Sequence, residues 1–369
     1  MNKKLTAILP AFILTLIVLL SDCSTGTAQK SSSGSVSATV TDLLGRTVTV
    51  PSNVSKVVAI GPGALRLYCY AGTAEKVAGI EQMDAGDATG KPYLFANPDL
   101  MKMTVIGQGG PNNAPDPEKI LAVKPDVIFS TYASDKATAD DLQSKTGIPV
   151  VAISYGNTAP FDPAVYTSLQ LIGKVTGQEK KAQAAVDYIK QCQKDLEDRT
   201  KGISDTNKPK VYVGALSMKG THGIESTQGK YSLLEALHAN NVVDETGKTG
   251  SIMIDKEKLI DWNPDIIFID EGGYAAVKQD YQKNSQFYNT LSAFKDGKVY
   301  SQLPYNNYST NIDTAIADAY YLGKIIDPAQ FKDVDPEKKS DEIYQNLLGK
   351  PLYSQMKKDF GGFKKLSFS

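Results

Sequence analysis

One segment of this chain is written twice. Residues 116–129 read DPEKILAVKPDVIF and residues 255–268 read DKEKLIDWNPDIIF. Each copy is a short helix, a Pro-Asp turn and a continuous apolar run of the kind that forms a strand buried on both faces. A repeat spread so widely points to two lobes built on one plan. The residues around each copy agree. Strands are predicted at 48–51, 57–60, 77–80, 126–130 and 148–153, with helices at 64–71, 117–123 and 137–146. The same grammar returns with strands at 210–215, 265–270 and 298–300 and helices at 232–239, 256–261 and 311–326. Thr310 is expected to cap the last of these, with Asp313 closing a capping box. Strands alternating with helices imply an α/β fold, each lobe a mainly parallel sheet flanked by helices.

Between the halves lies a stretch with no Gly or Pro, residues 178–200. Its apolar residues Ala182, Ala185, Ile189, Cys192 and Leu196 are spaced 3, 4, 3, 4, one face of a helix. At 1.5 Å per residue the helix would span about 35 Å, a rod joining two domains. The expected organisation is a first lobe at 39–177, a linking helix at 178–202 and a second lobe at 203–369. A chain of 369 residues suits two lobes of roughly 100–200 residues each.

The N-terminus reads as an address. Lys3 and Lys4 precede an apolar run over residues 5–20, typical of a signal-peptide core, and the run stops at Leu20-Ser21-Asp22-Cys23. Residues 1–22 are expected to be removed and Cys23 lipidated, although Asp22 departs from the small residue usual there. An uncleaved anchor, or cleavage after Ala28, are the alternatives, and all three export the protein. Residues 23–38, rich in Ser, Thr and Gly, are expected to form a flexible tether.

Several functions are excluded. With 40 Lys+Arg against 41 Asp+Glu the chain lacks the basic excess of a nucleic-acid binder. Three cysteines build no disulfide framework and no zinc spacing. Gly247-Lys248-Thr249 imitates the end of a phosphate-binding loop, but Val242 stands where its first glycine belongs. No Gly-x-Ser-x-Gly elbow appears. An enzyme is not expected, nor a permanent cofactor.

An exported chain with two α/β lobes and one linking helix resembles the periplasmic-type binding proteins. It is most similar to the family that serves ABC importers of iron complexes, heme and cobalamin. The marks are VTDLLGR (40–46), VVAIGPGALRL (57–67), the two repeat copies, and FKDGKVYSQLPYN (294–306). The resemblance implies lobes joined by one rigid helix with a ligand cleft between them. It also implies a monomer that delivers its cargo to ABC permease and ATPase subunits. In that family one glutamate on each lobe docks on permease arginines, and the matching positions are Glu118 and Glu257. The implied cargo is a ferric complex of siderophore type. Heme, cobalamin, or an oxyanion such as molybdate or tungstate are the alternatives, and a surface lipoprotein without a small ligand is the remaining one.

Ligands of parallel α/β lobes bind beyond the carboxyl ends of the strands. That rule selects the glycine loop at 61–63 with Arg66, one of three arginines in the chain, and the loops at 108–111 and 131–132 with Tyr132. In the second half it selects the loop carrying His222, the turn before Tyr274, and the segment holding Tyr305 and Tyr308. Arg66 suits an anion. A neutral His222 could ligate iron or hydrogen-bond a siderophore, and a tyrosinate is a hard ligand for ferric iron. His238, inside an expected helix, reads as structural.

Overall fold

A computed structural model describes residues 37–217 and 220–368. The expected signal peptide, Cys23 and nearly all of the tether lie outside the described residues. The tether expected to run to residue 38 ends earlier, because Ser37 and Ala38 already belong to a strand. That strand, β1 (Ser37–Thr41), pairs antiparallel with β2 (Thr47–Pro51). The turn between them is tied by Asp42, which accepts from the Leu44 and Arg46 amides and from the Arg46 guanidinium.

The first lobe continues with β3 (Val57–Ile60), α1 (Ala64–Ala71), β4 (Val77–Gly79), α2 (Pro92–Ala96), α3 (Pro117–Val123), β5 (Val127–Ser130), α4 (Lys136–Thr146), β6 (Val150–Ala152) and α5 (Pro163–Thr176). The linking helix α6 spans Glu179–Thr200. The second lobe follows with β7 (Lys210–Gly214), β8 (Ser226–Gly229), α7 (Ser232–Ala236), β9 (Asn240–Asn241), β10 (Gly250–Met253), α8 (Lys256–Trp262), β11 (Ile266–Asp270), α9 (Tyr274–Tyr288), α10 (Ser292–Lys295), β12 (Val299–Gln302) and α11 (Ile312–Ile326). Helices α12 (Pro336–Leu348) and α13 (Tyr353–Phe360) end the chain.

Each lobe is built on a four-stranded parallel sheet, in the order β4-β3-β5-β6 and β9-β7-β11-β12. Taking the four strands of each sheet in chain order, the first lies inside, the second lies at one edge, and the third and fourth extend the other side. The duplicated segments are α3–β5 and α8–β11, so repeat and topology coincide. The shared Pro-Asp turn has a physical task. Asp126 accepts from the Ser55 and Lys56 amides, and Asp265 accepts from the Lys210 amide. Each aspartate therefore pins the start of its strand to the neighbouring strand, and one-sided register slip would break a charge-assisted bond.

Helix α6 buries the predicted face, Ala182, Ala185, Ile189, Cys192 and Leu196, together with Val186 and Thr200. One end is tied to the first lobe, where the Lys181 ammonium donates to the carbonyls of Cys69 and Gly72. The other end is tied to the second, where Arg199 makes a bidentate pair with Asp333. The capping box does not form. Asn311 is the N-cap of α11 but its side chain makes no capping bond, Thr310 donates to the Thr158 carbonyl instead, and Asp313 is wholly buried. Both polar side chains are consumed by contacts between lobes, which local pattern does not encode.

Candidate functional site

Strand β3 ends in Gly61-Pro62-Gly63, and α1 starts at once. Both glycines have positive φ, +89° and +73°. A Cβ on Gly61 would stand 2.4 Å from the Tyr132 amide nitrogen, and one on Gly63 would stand 2.7 Å from the Tyr155 hydroxyl. Only glycine lets the chain turn here and lets the ends of β5 and β6 close over it.

That turn delivers Arg66 to the meeting point of the lobes. Its side chain is 1% exposed. Nη2 donates to the Asn307 carbonyl of the second lobe at 2.8 Å, and Nη1 reaches the Tyr155 hydroxyl at 3.4 Å. The guanidinium lies 5.2 Å from the Tyr93 ring centre, and Nε has no hydrogen-bond partner among the described residues. Arg46 and Arg199 each pair with carboxylates. No carboxylate stands within ion-pair distance of Arg66 among the described residues; the buried Asp84, bonded to Tyr93, and Asp313, bonded to Tyr70, act on it only from further away.

Beside it lies a cavity of about 390 Å³ at the carboxyl ends of the first-lobe strands. Pro62, Thr131, Ser134, Ser154 and Tyr155 line it, and Ser309 of the second lobe closes one side. The segment between β12 and α11 carries that closure. Besides Asn307 and Thr310, its Asn311 amide donates to the Gly90 carbonyl at 2.8 Å. The Tyr70 hydroxyl donates to Asp313 at 3.0 Å.

A family model described as periplasmic binding protein matches residues 57–304. This chain belongs to the periplasmic binding protein family. The molybdate-binding protein MolA of Haemophilus influenzae is 27% identical over 328 residues, 84% of this chain and 90% of that protein. An uncharacterized ABC transporter substrate-binding lipoprotein of Bacillus subtilis, YvrC, is 24% identical over 307 residues, 82% and 91% of the two chains. Among solved structures, MolA bound to molybdate superposes with a TM-score of 0.66 at 24% identity, over 85% of this chain and 98% of that one. A periplasmic solute binding protein from Veillonella parvula gives 0.68 at 21% identity, over 88% and 97%. The chain is thus a substrate-binding protein of the ABC-transporter type. No described helix is long and apolar enough to cross a membrane.

In this periplasmic binding protein the expected ligand residues divide. Arg66 bridges to the second lobe through the Asn307 carbonyl, while Tyr132 and Tyr308 lie beside first-lobe glycine loops. Tyr132 is half-buried against Gly61, and Tyr308, 55% exposed with φ +49°, extends toward Gly110 of the first lobe. Tyr305 is buried, its ring 6.3 Å from that of Tyr231, and Tyr274 packs edge-on against Phe368 at 5.8 Å. Those contacts place both rings in packing. His222 is half-buried beside the start of α9, where its carbonyl would lie 2.6 Å from a Cβ on Gly273. Among the described residues no group of three or more His, Cys, Asp or Glu is placed to hold a metal ion. His238 meets Thr200 through Nδ1. Glu118 and Glu257 are exposed on the first turns of α3 and α8.

The reading from sequence missed Tyr155 and Ser309. Tyr155 lies two residues beyond the predicted strand 148–153, so the carboxyl-end rule, applied to that strand as well, would have found it. Ser309 carried no local signal.

Burial also raises the acids around the seam. Glu81, which accepts from the Gly61 amide at 2.8 Å, is pushed up to about 7 by desolvation, with the Asp84 charge adding to it. In the second lobe burial pushes Asp270 and Glu271 up to about 7, and lifts Asp318 well above the usual carboxylate range.

Proposed function

We propose that this protein captures a small oxyanion of the molybdate class outside the membrane, with Arg66 as its principal charge partner, and hands it to its permease. The observation that carries the reading is the buried guanidinium at the point where the lobes meet, which has no carboxylate within ion-pair distance among the described residues. An unpaired buried charge is costly, and it becomes favourable when a ligand brings the opposite charge into the same dry site. The neutral hydroxyls of Thr131, Ser134, Ser154 and Tyr155 around the adjoining cavity suit the ligand's oxygens. The name of the relative MolA supports the same class. The Arg66–Asn307 bond is the contact the anion would replace.

In this reading residues 39–177 and 203–369 are the lobes, 178–202 the strut, Cys23 the lipid anchor, and Glu118 and Glu257 the docking carboxylates. A ferric siderophore complex is the second reading, favoured by the exposed Tyr308 phenol, a hard donor for ferric iron. Heme or cobalamin fits less well, because a macrocycle would have to break the Asn307, Thr310 and Asn311 contacts together. Calorimetric titration of the purified protein with molybdate, tungstate, sulfate, a ferric siderophore and hemin separates these. Saturable molybdate or tungstate binding is expected. Binding of the ferric complex with no heat from any oxyanion would overturn the reading.

A further inference from the structure

Among the described residues four large apolar side chains stand exposed: Leu121, Met253, Ile260 and Tyr308. Single exposed apolar residues are ordinary on a protein surface. Two of these four are not independent. Leu121 and Ile260 occupy the same place in the two copies of the repeat, each three residues after its glutamate, Glu118 or Glu257. They are 42% and 41% exposed. Residues three apart on a helix share a face, so each lobe presents a carboxylate and an aliphatic side chain together. The preceding residues, Ile120 and Leu259, are buried and anchor the opposite face on the sheet.

The charges on these helices sharpen the pattern. Lys119 folds back to Asp116 at 3.1 Å, and the Lys258 ammonium lies 5.3 Å from the Trp262 ring centre. Neither lysine neutralises the adjacent glutamate, and Glu118 and Glu257 enter no ion pair among the described residues. Each helix runs into its strand through a tight turn, so its first turn lies toward the carboxyl end of the sheet, the side that carries the ligand loops.

We infer that Leu121 and Ile260 are paired apolar anchors of the permease interface. The partner they fit presents two related faces, each with a basic side chain beside an apolar recess. The inference rests on the docking role proposed for Glu118 and Glu257 and extends it. The glutamates steer and orient, because exposed charges act mainly on encounter. The aliphatic side chains, desolvated on contact, set how long the complex lasts.

The test uses the full chain and its permease–ATPase complex in nanodiscs, with binding followed by interferometry at low and high salt. Leu121→Ser with Ile260→Ser should raise the dissociation rate at least tenfold at both salt concentrations, with association little changed. Glu118→Gln with Glu257→Gln should instead slow association and remove its salt dependence. Leu121→Met with Ile260→Met should dock as the native chain does, and unchanged melting temperatures would show that all variants fold. If the serine pair stays within twofold of native while the glutamine pair fails to dock, the anchor inference is wrong and the docking role stands. If the glutamine pair docks at native rates, the docking role itself falls.

Discussion

Replacing Arg66 by methionine separates a ligand-binding arginine from a structural one, because the two roles predict opposite balances of stability and affinity. Methionine roughly keeps the volume and removes the charge. The fold loses the bond from Nη2 to the Asn307 carbonyl, worth about 1.5–3 kcal/mol for a charged donor, and the Tyr93 ring contact, worth about 1–2 kcal/mol. It is relieved of a buried charge whose Nε has no partner, which returns about 1–3 kcal/mol. These terms sum to anything from a slight gain to a loss of about 4 kcal/mol, centred near about 2 kcal/mol, and exchange of buried charges for apolar side chains is often neutral or stabilising. Affinity should behave differently. Removing one partner of a buried charge pair costs about 2–5 kcal/mol, a loss of roughly 30-fold to several thousand-fold. Urea unfolding and molybdate calorimetry on the same preparations measure both quantities. A variant that binds molybdate as the native protein does, or that loses binding only because it no longer folds, would refute the assignment.

Three further outcomes are expected. Glu81 has a folded-state pKa of about 7 against 4.5 for an ordinary glutamate, so its contribution to stability is fully present below about 4.5 and is lost as pH rises through 7. Glu81→Gln should therefore raise the melting temperature at pH 8 and flatten its decline between pH 5.5 and 8. An unchanged slope would show that the acid is not buried as described. Gly61→Ala forces a side chain into φ +89° and onto the Tyr132 amide, and should cost about 2–4 kcal/mol in urea unfolding and abolish ligand binding. Gly173→Ala would place a Cβ 2.4 Å from that of Ala182, where α5 meets α6. Overpacking should outweigh the gain in helix propensity by about 1–2 kcal/mol, and Ala182→Gly in the same chain should recover most of the loss.

The duplicated segment, the strands at 57–60, 126–130 and 265–270, and the linking helix are all legible in the amino-acid order. Each rests on periodicity or on turn chemistry, which act within a dozen residues. Helices α5, α9, α12 and α13 and strands β1, β8, β9 and β10 are not, the short strands because two to five residues carry little pattern. A capping box at Thr310 and Asp313 follows from local rules that the Thr158 and Tyr70 contacts override. Ligand residues are legible as loops, by the rule about carboxyl ends, but not as side chains.

What the amino-acid order determined alone is the plan: two like halves, a stiff helix between them, and glutamates at matching places. Local sterics and apolar spacing suffice for that. Only the tertiary structure decided which side chains meet. It turned Tyr305 and Tyr274 into packing, drew Asn307 across to Arg66, and left that guanidinium without a carboxylate in ion-pair contact among the described residues. Long-range contacts set the polarity of a buried site, because the cost of a charge depends on every neighbour that folding brings to it, wherever in the chain that neighbour lies.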